Sequence, residues 1–112
     1  MCLFCKIVNG DVPAKVVLSN DHVLAFHDVN PVAPTHVLVI PKEHIASLHD
    51  VTAAHAAVLG ELLLAGQKVA EQLALGTTGY RLVMNTGKDA GQSVFHVHLH
   101  VLGGRPMAWP PG

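Results

Sequence analysis

The segment His96-Val97-His98-Leu99-His100-Val101-Leu102 sets three histidines in strict alternation with apolar residues. Side chains alternate across a strand, so the three rings share one face and Val97, Leu99 and Val101 share the other. A solvent-facing strand that happens to use histidine is the bland reading, and the threefold alternation weighs against it. A metal held by all three rings meets a geometric objection. On a straight strand the Cα atoms of His96 and His100 lie about 13 Å apart, whereas ligand nitrogens sit about 2 Å from a zinc ion. Two neighbours such as His96 and His98 could still share one. Nucleophilic catalysis fits the pattern better. A neutral imidazole can attack phosphorus near pH 7 without a strong base. The middle ring, His98, has a neighbour on either side and is the natural nucleophile. Directly before this segment, Gly87, Gly91, Gln92 and Ser93 form a polar loop. Such loops can offer backbone N–H groups to an anion.

Cys2 and Cys5 form a second candidate group. At i and i+3 on a helix both sulfurs face one way and can approach one ion. A thioredoxin-like motif needs a strand before it, and here the pair stands at residue 2. Structural zinc needs two further ligands, which nine histidines could supply. The bland alternative is a pair of reduced surface thiols.

Several elements must position these groups. Cys2–Val8 reads as a short helix, followed by a turn at Asn9-Gly10-Asp11. Ala14–Leu18 and Val23–Asp28 read as a hairpin across Ser19-Asn20-Asp21-His22. Val29–Thr35 holds two prolines and is a loop. His36–Ile40 is a third strand stopped by Pro41. Val58, Leu62, Val69 and Leu73 keep a helical period. One long helix is therefore expected from Thr52 to Leu75, capped by Asp50 or Thr52 and closed by Gly76. Tyr80–Asn85 and Val94–Leu102 complete five strands, and residues 103–112 form an irregular tail with three prolines. The order predicts an α+β fold with a mainly antiparallel five-stranded sheet. His22, His27, His49 and His55 have no evident partners, although His27 adjoins Asp28.

Composition narrows the function classes. Half the residues are hydrophobic, 13% are charged and the net charge is −1. Mean hydropathy is +0.39. These values fit one ordered domain over residues 1–112 and argue against disorder. So apolar a small chain suggests a homo-oligomer. There is no basic run for a nucleic-acid backbone, no stretch long enough for a membrane span and no secretion signal. With reduced thiols, the expected location is cytoplasmic.

HVHLHVL resembles the signature of the histidine-triad superfamily. FHDVNPVAPTHVLVIPKEHI, GYRLVMNTG, GQSVFHVHLHVLGGR and WPPG resemble its Hint branch, the histidine-triad nucleotide-binding proteins. The resemblance covers essentially the whole chain. It implies a homodimer whose two sheets join, with the tail and Trp109 reaching the partner. It implies purine nucleoside phosphoramidase activity, the cleavage of a P–N bond in an adenosine or guanosine 5′-phosphoramidate. His98 would attack phosphorus and form a nucleotidyl-histidine, which water would hydrolyse to the monophosphate. His100 and backbone N–H groups would stabilise the phosphoryl oxygens. Ser93 would assist protonation of the leaving amine, and His36 would orient its neighbours. Asp28 would accept from the ribose hydroxyls. Ile7, Phe26 and Val29 would sandwich the base, and Asn85, Gly91, Gln92 and Ser93 would contact the sugar–phosphate region. For Phe26 and Val29 ordinary packing is the alternative, and for Asp28 a turn-capping carboxylate.

In some members of the family a zinc is held by residues matching Cys2, Cys5, His44 and His96. Such a zinc would be structural and not required for the chemistry. Two other classes compete with the enzyme: a nucleotide-binding interaction module with vestigial chemistry, and a metallohydrolase using zinc as Lewis acid.

Overall fold

A computed structural model describes residues 2–112. Helix α1 spans Leu3–Val8 and helix α2 spans Ala56–Gln72. The strands are β1 Val16–Ser19, β2 Val23–His27, β3 Thr35–Pro41, β4 Tyr80–Val83 and β5 Leu99–Gly103. They form one sheet in the order β1-β2-β3-β5-β4, and every neighbouring pair is antiparallel. The expected α+β architecture, with five strands, one long helix and a short N-terminal helix, is what the chain adopts.

The sheet separates two apolar layers, and strand alternation decides which side chains enter each. Val23, Ala25, Val37, Val39, Leu99 and Val101 pack under α2 with Leu62, Ala65 and Val69. Leu24, Phe26, Leu38 and Ile40 pack under α1 with Phe4. Strands β2 and β3 are thus covered on both faces, which their near-continuous apolar runs permit. The helix α2 approaches β5 closely at Gly66, where an added Cβ would lie 3.2 Å from Leu99 Cδ2.

Three boundaries differ from expectation by three residues or more, each for a local reason, and the others shift by one or two. The fifth strand begins at Leu99, not Val94. The β3–β5 ladder ends at the Val39–Leu99 pair. Two residues on is Pro41, which has no N–H to continue it. The Pro41 carbonyl instead accepts the His96 ring N–H at 2.8 Å, and Val97 N–H goes to the Ile45 carbonyl at 2.7 Å. The long helix starts later, after a 3-10 turn at Ala53–His55. Thr52 caps that turn, and its own N–H donates to His55 Nδ1 at 2.9 Å. His55 therefore has a partner that its position in sequence concealed; it takes the place of the usual Glu or Gln of a capping box. The helix also ends earlier, at Gln72. Ala74, rather than Gly76, takes the left-handed conformation (φ 60°), and Leu75 N–H returns to the Ala70 carbonyl at 2.8 Å. That closure buries Leu75 against Gly103, where a Cβ would lie only 2.7 Å from it.

Candidate active site and metal centre

The histidine face survives the loss of regular strand at 96–98. His96, His98 and His100 all lie on the α1 side of the sheet, opposite Val97, Leu99 and Val101. Backbone groups fix which nitrogen of each ring carries the proton. A carbonyl only accepts, so His96 Nε2–H donates to Pro41 and leaves Nδ1 as a lone pair. By the same rule His98 Nδ1–H donates to the His96 carbonyl at 2.7 Å. That leaves His98 Nε2 as the bare atom.

The third tautomer is set at second hand. Val32 N–H donates to His36 Nδ1 at 3.1 Å, so the proton of a neutral His36 must be on Nε2. It donates to His100 Nδ1 at 2.8 Å. His100 therefore carries its own proton on Nε2. Burial pushes the pKa of His36 and His96 below the ordinary histidine value. It pushes His100 down to about 4, helped by His98 and His36 and opposed by Asp28. Rings held neutral are what the tautomer assignment requires.

A cleft of about 1010 Å³ opens on this face. Its lining includes seven of the residues singled out from sequence: Ile7, Phe26, Asp28, Val29, Ser93, His98 and His100. His27 lines it too, beside Asp28. His36 stands behind His100, and Asp28 Oδ2 lies 3.4 Å from His36 Nε2. The other Asp28 oxygen accepts Asn30 N–H at 2.8 Å, so this carboxylate caps a turn and faces the cleft at once. Asp28, His36 and His100 are close enough to suggest a metal site. The hydrogen bonds argue otherwise, because the shared His36 nitrogen already bears a proton.

Asn85, Gly91 and Gln92 do not line the cleft. The N–H groups of Gly91 and Gln92, expected to face an anion, are spent inside the loop on the Lys88 and Gly87 carbonyls. Gln92 is buried, and its side chain bonds Gly87, Ala46 and Val94. Four participants were not singled out from sequence. Phe4 packs edge-on against His98 at 5.1 Å and against Phe26 at 5.6 Å; its place between the two cysteines was the available signal. The Val32 N–H and the carbonyls of Pro41 and His96 are backbone groups, which no residue type announces.

On the far side of His96 a second cluster closes. Cys2 Sγ, Cys5 Sγ, His44 Nδ1 and His96 Nδ1 are mutually adjacent. The two sulfurs are 3.1 Å apart and the two nitrogens 3.2 Å. The four sulfur–nitrogen distances run from 3.3 to 3.6 Å. A tetrahedral site with thiolate and imidazole ligands has edges of roughly 3.3–3.8 Å; the four sulfur–nitrogen distances lie in that range, the sulfur–sulfur and nitrogen–nitrogen distances are shorter and would open around an ion, and the donor set suits one. The cysteines reach it because Cys2 caps α1 and Cys5 sits in its first turn.

The comparisons agree with this architecture. The HIT domain model matches residues 9–107. An uncharacterized HIT-like protein of Synechococcus elongatus is 54% identical over 110 residues, covering 98% of this chain and 96% of that protein. The purine nucleoside phosphoramidase of Escherichia coli is 45% identical over 105 residues, covering 94% and 88%. The crystal structure of a HIT family hydrolase from Legionella pneumophila superposes with a TM-score of 0.98 at 50% identity, covering both chains fully. On the family match and these relatives, the chain belongs to the HIT domain family.

Proposed function

We propose that the protein is a purine nucleoside phosphoramidase acting through His98. The observation that carries this reading is the bare Nε2 of His98 in a cleft, with its Nδ1–H given to the His96 carbonyl. The Escherichia coli relative of the same name supports it. The apolar wall of Ile7, Phe26 and Val29 suits a purine, and Asp28 suits ribose hydroxyls.

In the first step the His98 Nε2 lone pair forms a bond to phosphorus. The P–N bond breaks, its electron pair stays on nitrogen, and the amine takes a proton delivered at the Ser93 hydroxyl, which water replenishes. The imidazolium so formed keeps its Nδ1–H on the His96 carbonyl, which favours the developing charge. The His100 Nε2–H donates to a phosphoryl oxygen. In the second step a water oxygen bonds to phosphorus, the P–N electron pair returns to Nε2, and the water's proton goes to solvent. No step needs a metal. A zinc at Cys2, Cys5, His44 and His96 would be structural, with four positions filled and none open to water.

We also read the protein as a cytoplasmic homodimer. Exposed Leu63, Leu64, Phe95 and Trp109 and the short edge strand β4 support self-association. Among the described residues no helix is long and apolar enough to cross a membrane. The test of the enzyme reading is hydrolysis of adenosine 5′-phosphoramidate with trapping of a nucleotidyl-protein adduct. Turnover with an adduct that disappears in His98→Ala is expected. AMP binding without turnover by the parent protein would favour the interaction module instead.

A further inference from the structure

The geometry points to Gln92 as the positioning residue that fixes Ser93 relative to His98. Gln92 is 6% exposed, and three of the four hydrogen bonds its amide can make are filled. Its Oε1 accepts Gly87 N–H at 2.8 Å. Its Nε2 donates to the Ala46 carbonyl at 2.8 Å and to the Val94 carbonyl at 3.1 Å. The bond to Val94 arches over Ser93, so residues 92–94 close into a small ring with Ser93 at its apex. The bonds to Gly87 close the loop behind it: Gln92 N–H also returns to the Gly87 carbonyl at 3.1 Å. Gly87 and Gly91 turn that loop with φ of +82° and +85°, a region glycine enters without strain.

The bond to Ala46 carries the inference furthest. Val97, the residue before His98, gives its N–H to the carbonyl of Ile45 at 2.7 Å. Nucleophile and leaving-group donor are thus both referenced to one two-residue segment, His98 through Val97 to Ile45 and Ser93 through Gln92 to Ala46. In a displacement at phosphorus the attacking and departing atoms lie on opposite sides of the centre. The separation of His98 and Ser93 is then the dimension that matters, and a misplacement of about 1 Å can cost roughly a hundredfold in rate. Gln92 touches no substrate in this account; it acts through Ser93. The inference rests on the proposed leaving-group role of Ser93.

The experiment compares two AMP derivatives: a phosphoramidate with an alkylamine leaving group, which must be protonated, and the p-nitrophenyl ester, whose leaving group need not be. Gln92→Ala is expected to lower kcat on the amidate by about 10- to 100-fold while changing ester turnover and AMP affinity by no more than about threefold. Ser93→Ala should show the same selectivity, and the double variant should be no worse than either single one. Equal losses on both substrates for Gln92→Ala, with Ser93→Ala selective, would make Gln92 mere scaffold and overturn the inference alone. A Ser93→Ala indifferent to the leaving group would overturn the role of Ser93, and that of Gln92 with it. Should Gln92→Ala fail to fold, Gln92→Glu takes the same comparison. It keeps the shape and the bond from Gly87 but sets an oxygen against the Ala46 and Val94 carbonyls.

Discussion

At one end of the histidine run, His96 gives its Nε2–H to Pro41 and turns Nδ1 toward two thiols and His44. At the other, His100 receives the His36 proton on Nδ1 and keeps its own proton on Nε2, at the cleft. The same residue type at the same spacing thus presents opposite nitrogens for opposite uses. Backbone groups make the difference: the carbonyl of Pro41 in one case, the N–H of Val32 acting through His36 in the other. Surroundings then separate the two chemistries. Soft ligands closing around a point suit an ion and exclude a substrate, whereas a polar donor beside an open cleft suits a phosphoryl group. His98 lies between them, and the carbonyl of His96 aims it. The end that carries the thiol–imidazole cluster therefore helps to aim His98, through the His96 carbonyl.

Removing the central ring tests the division most severely. His98→Ala is expected to lower turnover of adenosine 5′-phosphoramidate by roughly 10⁴-fold or more, as loss of a covalent nucleophile does elsewhere. AMP affinity, measured by calorimetry, should hold if Ile7, Phe26, Val29 and Asp28 carry the base and ribose as proposed. Residual turnover near the parent rate would move the nucleophile elsewhere.

Breaking the other end should affect stability before chemistry. Cys5→Ser is expected to lose bound zinc and to lower unfolding free energy by at least about 2 kcal/mol. Turnover below the melting range should fall far less than in His98→Ala. Denaturation curves and metal content are the readouts, neither of which depends on activity. Parent protein expressed with zinc and containing none would remove the metal from this account.

How much of this was legible in the sequence depends on which groups act. Period-two alternation revealed the histidine face, and it held even where the ladder stopped, because extended backbone alternates whether or not it is paired. The helical period revealed α2, while its ends were displaced by a capping histidine and by the burial of Leu75. The cysteines and Asp28 carried chemistry in their types. The tautomers did not show, since they are set by backbone groups that no residue type announces, from the His96 carbonyl two positions from His98 to the Pro41 carbonyl 55 positions from His96. The partners of Gln92 were hidden for a related reason: its amide bonds the Ala46 carbonyl, 46 positions away.

The link between His36 and His100 allows a finer cut. His36→Phe removes the donor that holds His100 in its tautomer, and kcat should fall by roughly 10- to 100-fold with little change in KM. His36→Gln can place an amide N–H near the lost Nε2 and should recover part of the loss. Equal rates for the two variants would mean that His36 only fills space.

The smallest expected effect is on stability against pH, and it tests whether burial keeps the catalytic end neutral. His100 is lowered from the ordinary 6.5 to about 4, chiefly by burial, with His98 and His36 adding and Asp28 opposing. Between those values the unfolded chain binds a proton at His100 that the folded protein refuses. Stability therefore rises with pH through that window and is lost as pH falls from about 6.5 toward 4. The ring is only partly buried, so the effect at this one site should be on the order of 1 kcal/mol after solvent screening. His100→Gln removes the titrating group. Its stability deficit against the parent should be widest near pH 7 and shrink on acidification, because the parent alone loses this contribution. Ionisable groups remote from His100 are the same in both proteins and cancel in the difference. Parallel stability curves for the two proteins would show that folding leaves His100 unshifted and that burial does not keep it neutral through this window.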